Sequence, residues 1–166
     1  MKEQDKQFEI TAQDREFLRL ACDIASENID RGGGPFGAVI VRDGEVIATG
    51  GNTVTLDNDP TAHAEVNAIR RACALTRNFK LDGCVVYSSC EPCPMCLSAL
   101  YWAGVKRIYY GNTQTDARDI NFDDNFIYQE IEKPKLMRYI PCIHIDDPET
   151  IKHFRKWTSK TDKIAY

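Results

Sequence analysis

Apolar positions between residues 12 and 30 recur at helical spacing. Phe17, Leu18, Ala21, Ile24 and Ala25 form one stripe, and Thr11-Ala12-Gln13-Asp14 ahead of them has the form of a capping box. This predicts a helix over 12–30, stopped by Gly32-Gly33-Gly34-Pro35. Residues 36–42 and 45–51 read as two strands around Asp43-Gly44, a pair that favours a hairpin turn. A polar loop over 52–59 leads to a second helix, opened by Pro60-Thr61, that turns Val66, Ile69, Ala72 and Cys73 inward. Residues 84–88 form a short apolar strand. Residues 93–103 form a third helix, with Pro94 in its first turn and Gly104 ending it. Another apolar strand covers 107–110. Beyond it the alternation weakens to a helix over 126–131, a strand over 140–145 and a last helix over 148–159. Alternating strands and helices with no repeat or linker predict one three-layer α/β/α domain spanning 1–166.

Composition narrows the class without changing that picture. With 166 residues, 43% hydrophobic and 10% aromatic, the chain can bury one core of ordinary size. A net charge of -4 and a pI near 5.4 give no general attraction to nucleic acid or to a membrane surface. The longest apolar run, 36–41, is far too short to span a bilayer. The start, Met1-Lys2-Glu3-Gln4-Asp5, is polar and acidic, unlike a secretion signal. An odd count of 7 cysteines then suggests a reducing, cytoplasmic setting. Cys22, Cys73 and Cys84 sit among apolar neighbours and read as core thiols.

Two short motifs bring in chemistry: His63-Ala64-Glu65 and Pro92-Cys93-Pro94-Met95-Cys96. They provide an imidazole, two thiols and a carboxylate that is not needed as a ligand. H-x-E followed by P-C-x-x-C is the signature of zinc deaminases. His63, Cys93 and Cys96 would hold one Zn2+ per subunit, leaving the fourth tetrahedral corner for a water whose pKa the ion lowers. His63 and Glu65 are two apart and share no helix face. They converge only end-on, at the first turn of the second helix, while Cys93 and Cys96 occupy the first turn of the third. Two helix N-termini would then meet at the metal, where free N–H groups and positive dipole ends favour thiolates. Glu65, beside the ion, would carry protons between water and substrate. Two other readings use the same residues. Adding Cys90 makes a closed Cys3His cage, as in a zinc-stabilised binding module, but leaves Glu65 without a task. A redox Cys-x-x-Cys pair ignores His63. His144 and His153 read as ordinary strand and surface histidines.

The motifs sit within longer matching stretches: Asn58 through Glu65, Ser89 through Cys96, Tyr101-Trp102-Ala103, Phe122 through Tyr128, and the terminal Tyr166. Over nearly the whole length the chain resembles the cytidine deaminase superfamily and, within it, the bacterial-type guanine deaminases. The zinc motif serves deaminases of many bases; the Phe-Asp-Asp segment and the terminal Tyr are what point to guanine. The resemblance implies a mixed five-stranded sheet between helices. It implies hydrolysis of a free purine base, guanine, to xanthine and ammonia, with Glu65 and Asp124 as the catalytic acids. Asn52 would hydrogen-bond the base and Phe36 would pack on its ring; in the reaction so read, a backbone N–H such as that of Ala64 or Cys93 would steady the intermediate. Trp102 and Tyr166 would complete the pocket. It further implies a homodimer whose C-terminal segments, about 146–166, are exchanged so that Tyr166 closes the partner's pocket.

The same scaffold would take guanosine, cytosine or ammeline with a changed pocket rim. A tRNA adenosine deaminase would need a basic surface for phosphates. Asp116, Asp119, Asp123, Asp124, Glu130 and Glu132 make the segment after the fourth strand acidic, although Lys152, Arg155, Lys156, Lys160 and Lys163 cluster near the end. A small-molecule substrate is therefore expected, with no membrane and no nucleic acid.

Overall fold

The first helix, α1 (Ala12–Asp30), begins at the cap that its sequence encodes. Thr11 Oγ1 accepts from the Asp14 N–H at 3.1 Å, and the Asp14 carboxylate accepts from the Thr11 N–H at 2.8 Å. In this computed structural model residues 9–165 are described. They fall into two compact units that divide after Asp124. In the first unit, α1 is followed by the hairpin β1 (Gly34–Arg42) and β2 (Glu45–Asn52), then by a single helical turn, α2 (Val54–Asp57). α3 (Ala64–Thr76), β3 (Val85–Cys90), α4 (Pro94–Ala103), β4 (Arg107–Asn112) and the short α5 (Gln114–Asp119) complete it.

The sheet order is β2-β1-β3-β4. β1 runs antiparallel to β2 and to β3, while β3 and β4 are parallel, so the sheet is mixed. Side chains alternate between its faces. Val39, Val41 and Tyr87 pack with Ala21 under α1. Ala38, Ile40 and Val86 pack with Ala64, Ala68, Ala72 and Leu100 under α3 and α4. Three layers result, with α3 and α4 side by side on one face and α1 on the other.

Both helix layers come unusually near the sheet. A Cβ at Gly37 would lie 2.2 Å from the Ala21 carbonyl oxygen, and one at Gly50 would lie 2.2 Å from that of Ala64. The helices present alanines there, so backbone packs on backbone. Gly50→Ala is expected to destabilise the protein by about 1–3 kcal/mol, the usual cost of forcing a methyl into a filled core. Because α3 would be pushed at its N-terminal turn, zinc affinity should fall as well. Thermal melting with a zinc titration checks both effects.

The second unit holds α6 (Asn125–Glu132), two 3-10 turns (Lys135–Met137 and Pro148–Ile151) and α7 (Lys152–Ser159). Buried Glu130 organises it, accepting from the Tyr139 N–H at 2.5 Å and pairing with Lys133. Phe126 and Tyr139 meet edge to face with centroids 6.0 Å apart.

Several expectations shift. The second helix begins at Ala64 rather than at Pro60-Thr61, because Asp59 accepts from the Thr61 N–H and holds residues 59–62 in a turn. The helix expected over 148–159 starts as a 3-10 turn. The strand expected over 140–145 is irregular, so the sheet has four strands where five were expected. Ile140, Ile143 and Ile145 are each 75% exposed. Apolar periodicity marks a segment that can pair, but a strand also needs a neighbour to take its N–H and C=O groups, and none is found among the described residues. Tyr166 lies outside the described residues. Among those described, no helix is long and apolar enough to cross a membrane.

Candidate metal centre and active site

α3 and α4 each begin at a residue singled out by its motif. His63 is the N-cap of α3 and Cys93 the N-cap of α4, and neither makes a side-chain capping hydrogen bond. Both side chains are thus free to point away from their own helix ends and toward each other. His63 Nδ1 lies 3.5 Å from Cys93 Sγ and 3.4 Å from Cys96 Sγ. All three donor atoms lie within 4.8 Å of one another. A tetrahedral zinc with bonds of about 2.3 Å to sulfur and about 2.05 Å to nitrogen sets the N···S separation at about 3.5 Å. The observed distances match that requirement, so these residues fit a zinc ion.

The electrostatics agree. Cys93 is held down to about 4, first by the hydrogen bond from Cys96 and then by His63. The Cys96 thiol is pushed up by sharing that contact and by burial. His63 is raised, chiefly by its hydrogen bond to Cys93.

Cys90 is not part of the group. Its Sγ donates to the Thr113 carbonyl oxygen at 3.6 Å, at the end of β3. Burial first, and then the Glu65 charge, push its thiol up to about 11. The donor set is therefore His63, Cys93 and Cys96, without a fourth protein ligand among the described residues. All 7 cysteines are free thiols. Cys84 is fully buried, whereas Cys22 and Cys73 are half-buried. His144 and His153 are exposed in the second unit.

Glu65 lies in the first turn of α3, 6% exposed. Burial pushes its carboxyl above the usual range. Ser88 Oγ, on β3, donates to Glu65 Oε1 at 2.9 Å. Asp124 closes the first unit. Burial and then the Cys93 charge raise its carboxyl, and its Oδ1 is buried with no hydrogen-bond partner among the described residues. Asn52 ends β2, 7% exposed. Its Oδ1 accepts from the Val54 N–H at 3.3 Å, which leaves its amide NH2 as the group to offer a ligand. Phe36 is half-buried against the core and meets Phe122 edge to face at 4.9 Å. Ala64 is the first residue of α3, so its N–H has no partner within the helix.

Trp102 lies away from the metal group of its own chain. It lies 65% exposed near the C-terminal end of α4, while Cys93 and Cys96 lie at the N-terminal end. Six residues of helix separate it from Cys96, about 9 Å along the axis and on another face.

Three buried polar residues that sequence reasoning passed over hold this arrangement. Asn28 Nδ2 donates to the carbonyls of Gly34 and Asn52, both at 2.7 Å, tying the end of α1 to the hairpin. Asn67 Nδ2 donates to Gly51 at 2.9 Å and to Ala62 at 3.3 Å, fixing the approach to His63. Ser88 is the third. The signal was there: each is a polar residue on an otherwise apolar stripe.

A fold with helices on both faces of a mixed sheet, and a His-Cys-Cys centre beside a buried glutamate at two helix N-termini, define a zinc-dependent hydrolytic deaminase. Residues 11–112 match the cytidine and deoxycytidylate deaminase zinc-binding region, and the chain belongs to that family. It is 51% identical to the guanine deaminase of Bacillus subtilis over 151 residues, 90% of this chain and 97% of that one. The X-ray structure of guanine deaminase from Bacillus subtilis superposes with a TM-score of 0.91 at 49% identity, covering 95% of this chain and 99% of that one. The tRNA-specific adenosine deaminase of Agrobacterium fabrum is 44% identical over 95 residues, 57% of this chain and 62% of that protein.

Proposed function

We propose that this chain is a guanine deaminase, hydrolysing guanine to xanthine and ammonia. The observation that carries the reading is the likeness to the Bacillus subtilis guanine deaminase through the second unit, well past the shared zinc region. The tRNA-specific adenosine deaminases match less closely: that of Agrobacterium fabrum over 57% of the chain, and that of Aquifex aeolicus over 85% but at 39% identity against 51%.

His63, Cys93 and Cys96 would hold the zinc, which would lower the pKa of a water and so supply a nucleophile for C2 of the base. Glu65 takes the proton released there and delivers it to ring N3. Its burial raises the carboxyl's affinity for a proton, which suits a group that takes one up and passes it on. The Ala64 N–H, without a partner inside α3, would steady the tetrahedral intermediate. Glu65 then takes the second proton, from the new C2 hydroxyl, and with Asp124 passes it to the exocyclic amino group; C2=O forms as the C2–N bond breaks, and ammonia leaves. The unpartnered Asp124 Oδ1 suits that contact, since a buried acceptor without a donor is expensive until a ligand supplies one. Asn52 and Phe36 hold the base by hydrogen bonding and ring packing. The free thiols fit the reducing cytoplasm.

An ammonia-release screen over guanine, guanosine, adenine, cytosine, cytidine and ammeline, with an adenosine-bearing tRNA stem-loop as a further arm, tests the substrate. Guanine should lead, and release from another substrate alone would replace this reading. Asp124→Asn should lower kcat on guanine by about 10²-fold with zinc content unchanged, as expected for loss of one positioned acid; the metal content and rate of the purified variant decide.

The chain further acts as a homodimer with exchanged C-terminal segments. In a single chain Met137, Ile143 and Phe154 are 73%, 75% and 61% exposed, apolar surface that a second subunit would cover. Glu65→Gln and a Tyr166 deletion, each inactive, should recover activity when co-refolded. Mixed dimers without recovery would mean that each tail serves its own subunit or none.

A further inference from the structure

Ser88 is 1% exposed and stands mid-strand in β3, paired with Ala38 on one side and Tyr110 on the other. It shares the α3–α4 face of the sheet with Val86, within an apolar core. A hydroxyl buried in such surroundings is costly unless bonded. Its side-chain bond is to Glu65 Oε1, at 2.9 Å. Glu65 is itself buried and reaches this point from the first turn of the facing helix.

A glutamate has three rotatable side-chain bonds, and its carboxylate swings unless something holds it. Here the sheet holds it: one oxygen is tied to a rigid strand. The Ser88 hydroxyl can donate to the ionised carboxylate and accept from the protonated one, so the tie survives a change of protonation.

We propose that Ser88 is a positioning residue for Glu65, fixing one carboxylate oxygen so that the other faces the reaction. The inference rests on Glu65 being the proton carrier. Small errors in the placement of a reacting group are expensive, on the order of 10²-fold for about 1 Å.

The test compares Ser88→Thr with Ser88→Val, which fill nearly the same volume and differ in the hydroxyl. Ser88→Ala is added as a variant that introduces no bulk. Ser88→Thr should keep kcat within about 3-fold of Ser88's own value, whereas Ser88→Val and Ser88→Ala should lose about 10- to 100-fold. KM and zinc content should be the same across the set. In the Glu65→Gln background, the step from Ser88 to Val should change the residual rate little, because two residues acting as a unit are not additive. Crystal structures should show the Glu65 carboxylate held in Ser88→Thr and turned in Ser88→Val.

Equal rates for Thr and Val, or a Val loss that tracks zinc loss, would overturn the proposal. So would an additive loss in the Glu65→Gln background. The comparison is made on whichever base the unaltered protein deaminates. Failure on guanine alone therefore counts against the substrate and not against Ser88.

Discussion

Glu65→Gln is expected to keep its zinc and its fold, bind the base, and lose about 10²–10⁴-fold in kcat, the range for a positioned acid–base group. Glutamine has the same shape as glutamate, and its amide oxygen can still accept from Ser88. Only the capacity to carry a proton is removed. Zinc measured by plasma spectrometry and kcat measured by ammonia release separate the outcomes. Near-normal turnover with full zinc would place proton transfer on another residue. Loss of zinc along with turnover would make Glu65 a support of the metal group instead.

Cys93→Ser and Cys90→Ser should part completely, although the two thiols are three residues apart. Cys93→Ser should lose its zinc and at least about 10³-fold in activity, since the ion contributes several kcal/mol to charge stabilisation. Cys90→Ser should retain one zinc per subunit and most of its rate. The difference follows from where the two sulfurs sit. Cys93 Sγ lies 3.5 Å from His63 Nδ1, whereas Cys90 Sγ donates to Thr113 across the strand end. Zinc loss from the Cys90 variant would restore the closed four-ligand cage.

The first unit could be read from its residues because its signals are local. The Thr11–Asp14 cap, the Asp43-Gly44 turn, Pro94 at a helix start and Gly104 at a helix end each act within a few residues. The His-x-Glu and Cys-x-x-Cys motifs mark helix N-termini for the same reason. What pattern could not supply was partnership over distance. Ser88 reaches Glu65 across 23 residues and Asn28 reaches Asn52 across 24, so neither pair leaves a trace in spacing. The stretch 140–145 shows the opposite failure. Its isoleucines suggested a strand, but residue type describes one strand and pairing requires two. Trp102, expected at the pocket through its place in a matching stretch, stands near the C-terminal end of α4 in its own chain.

The bare helix starts have a consequence for how such a chain ages in evolution. A serine, aspartate or asparagine at an N-cap is typically worth about 1 kcal/mol, and here His63 and Cys93 occupy both slots without capping anything. Selection for stability alone would therefore rewrite these two positions first. A duplicated copy relieved of its chemical duty should drift toward ordinary capping residues at 63 and 93, becoming sturdier as it loses its metal. Retention of histidine and cysteine at those two helix starts marks a lineage in which the reaction is still under selection.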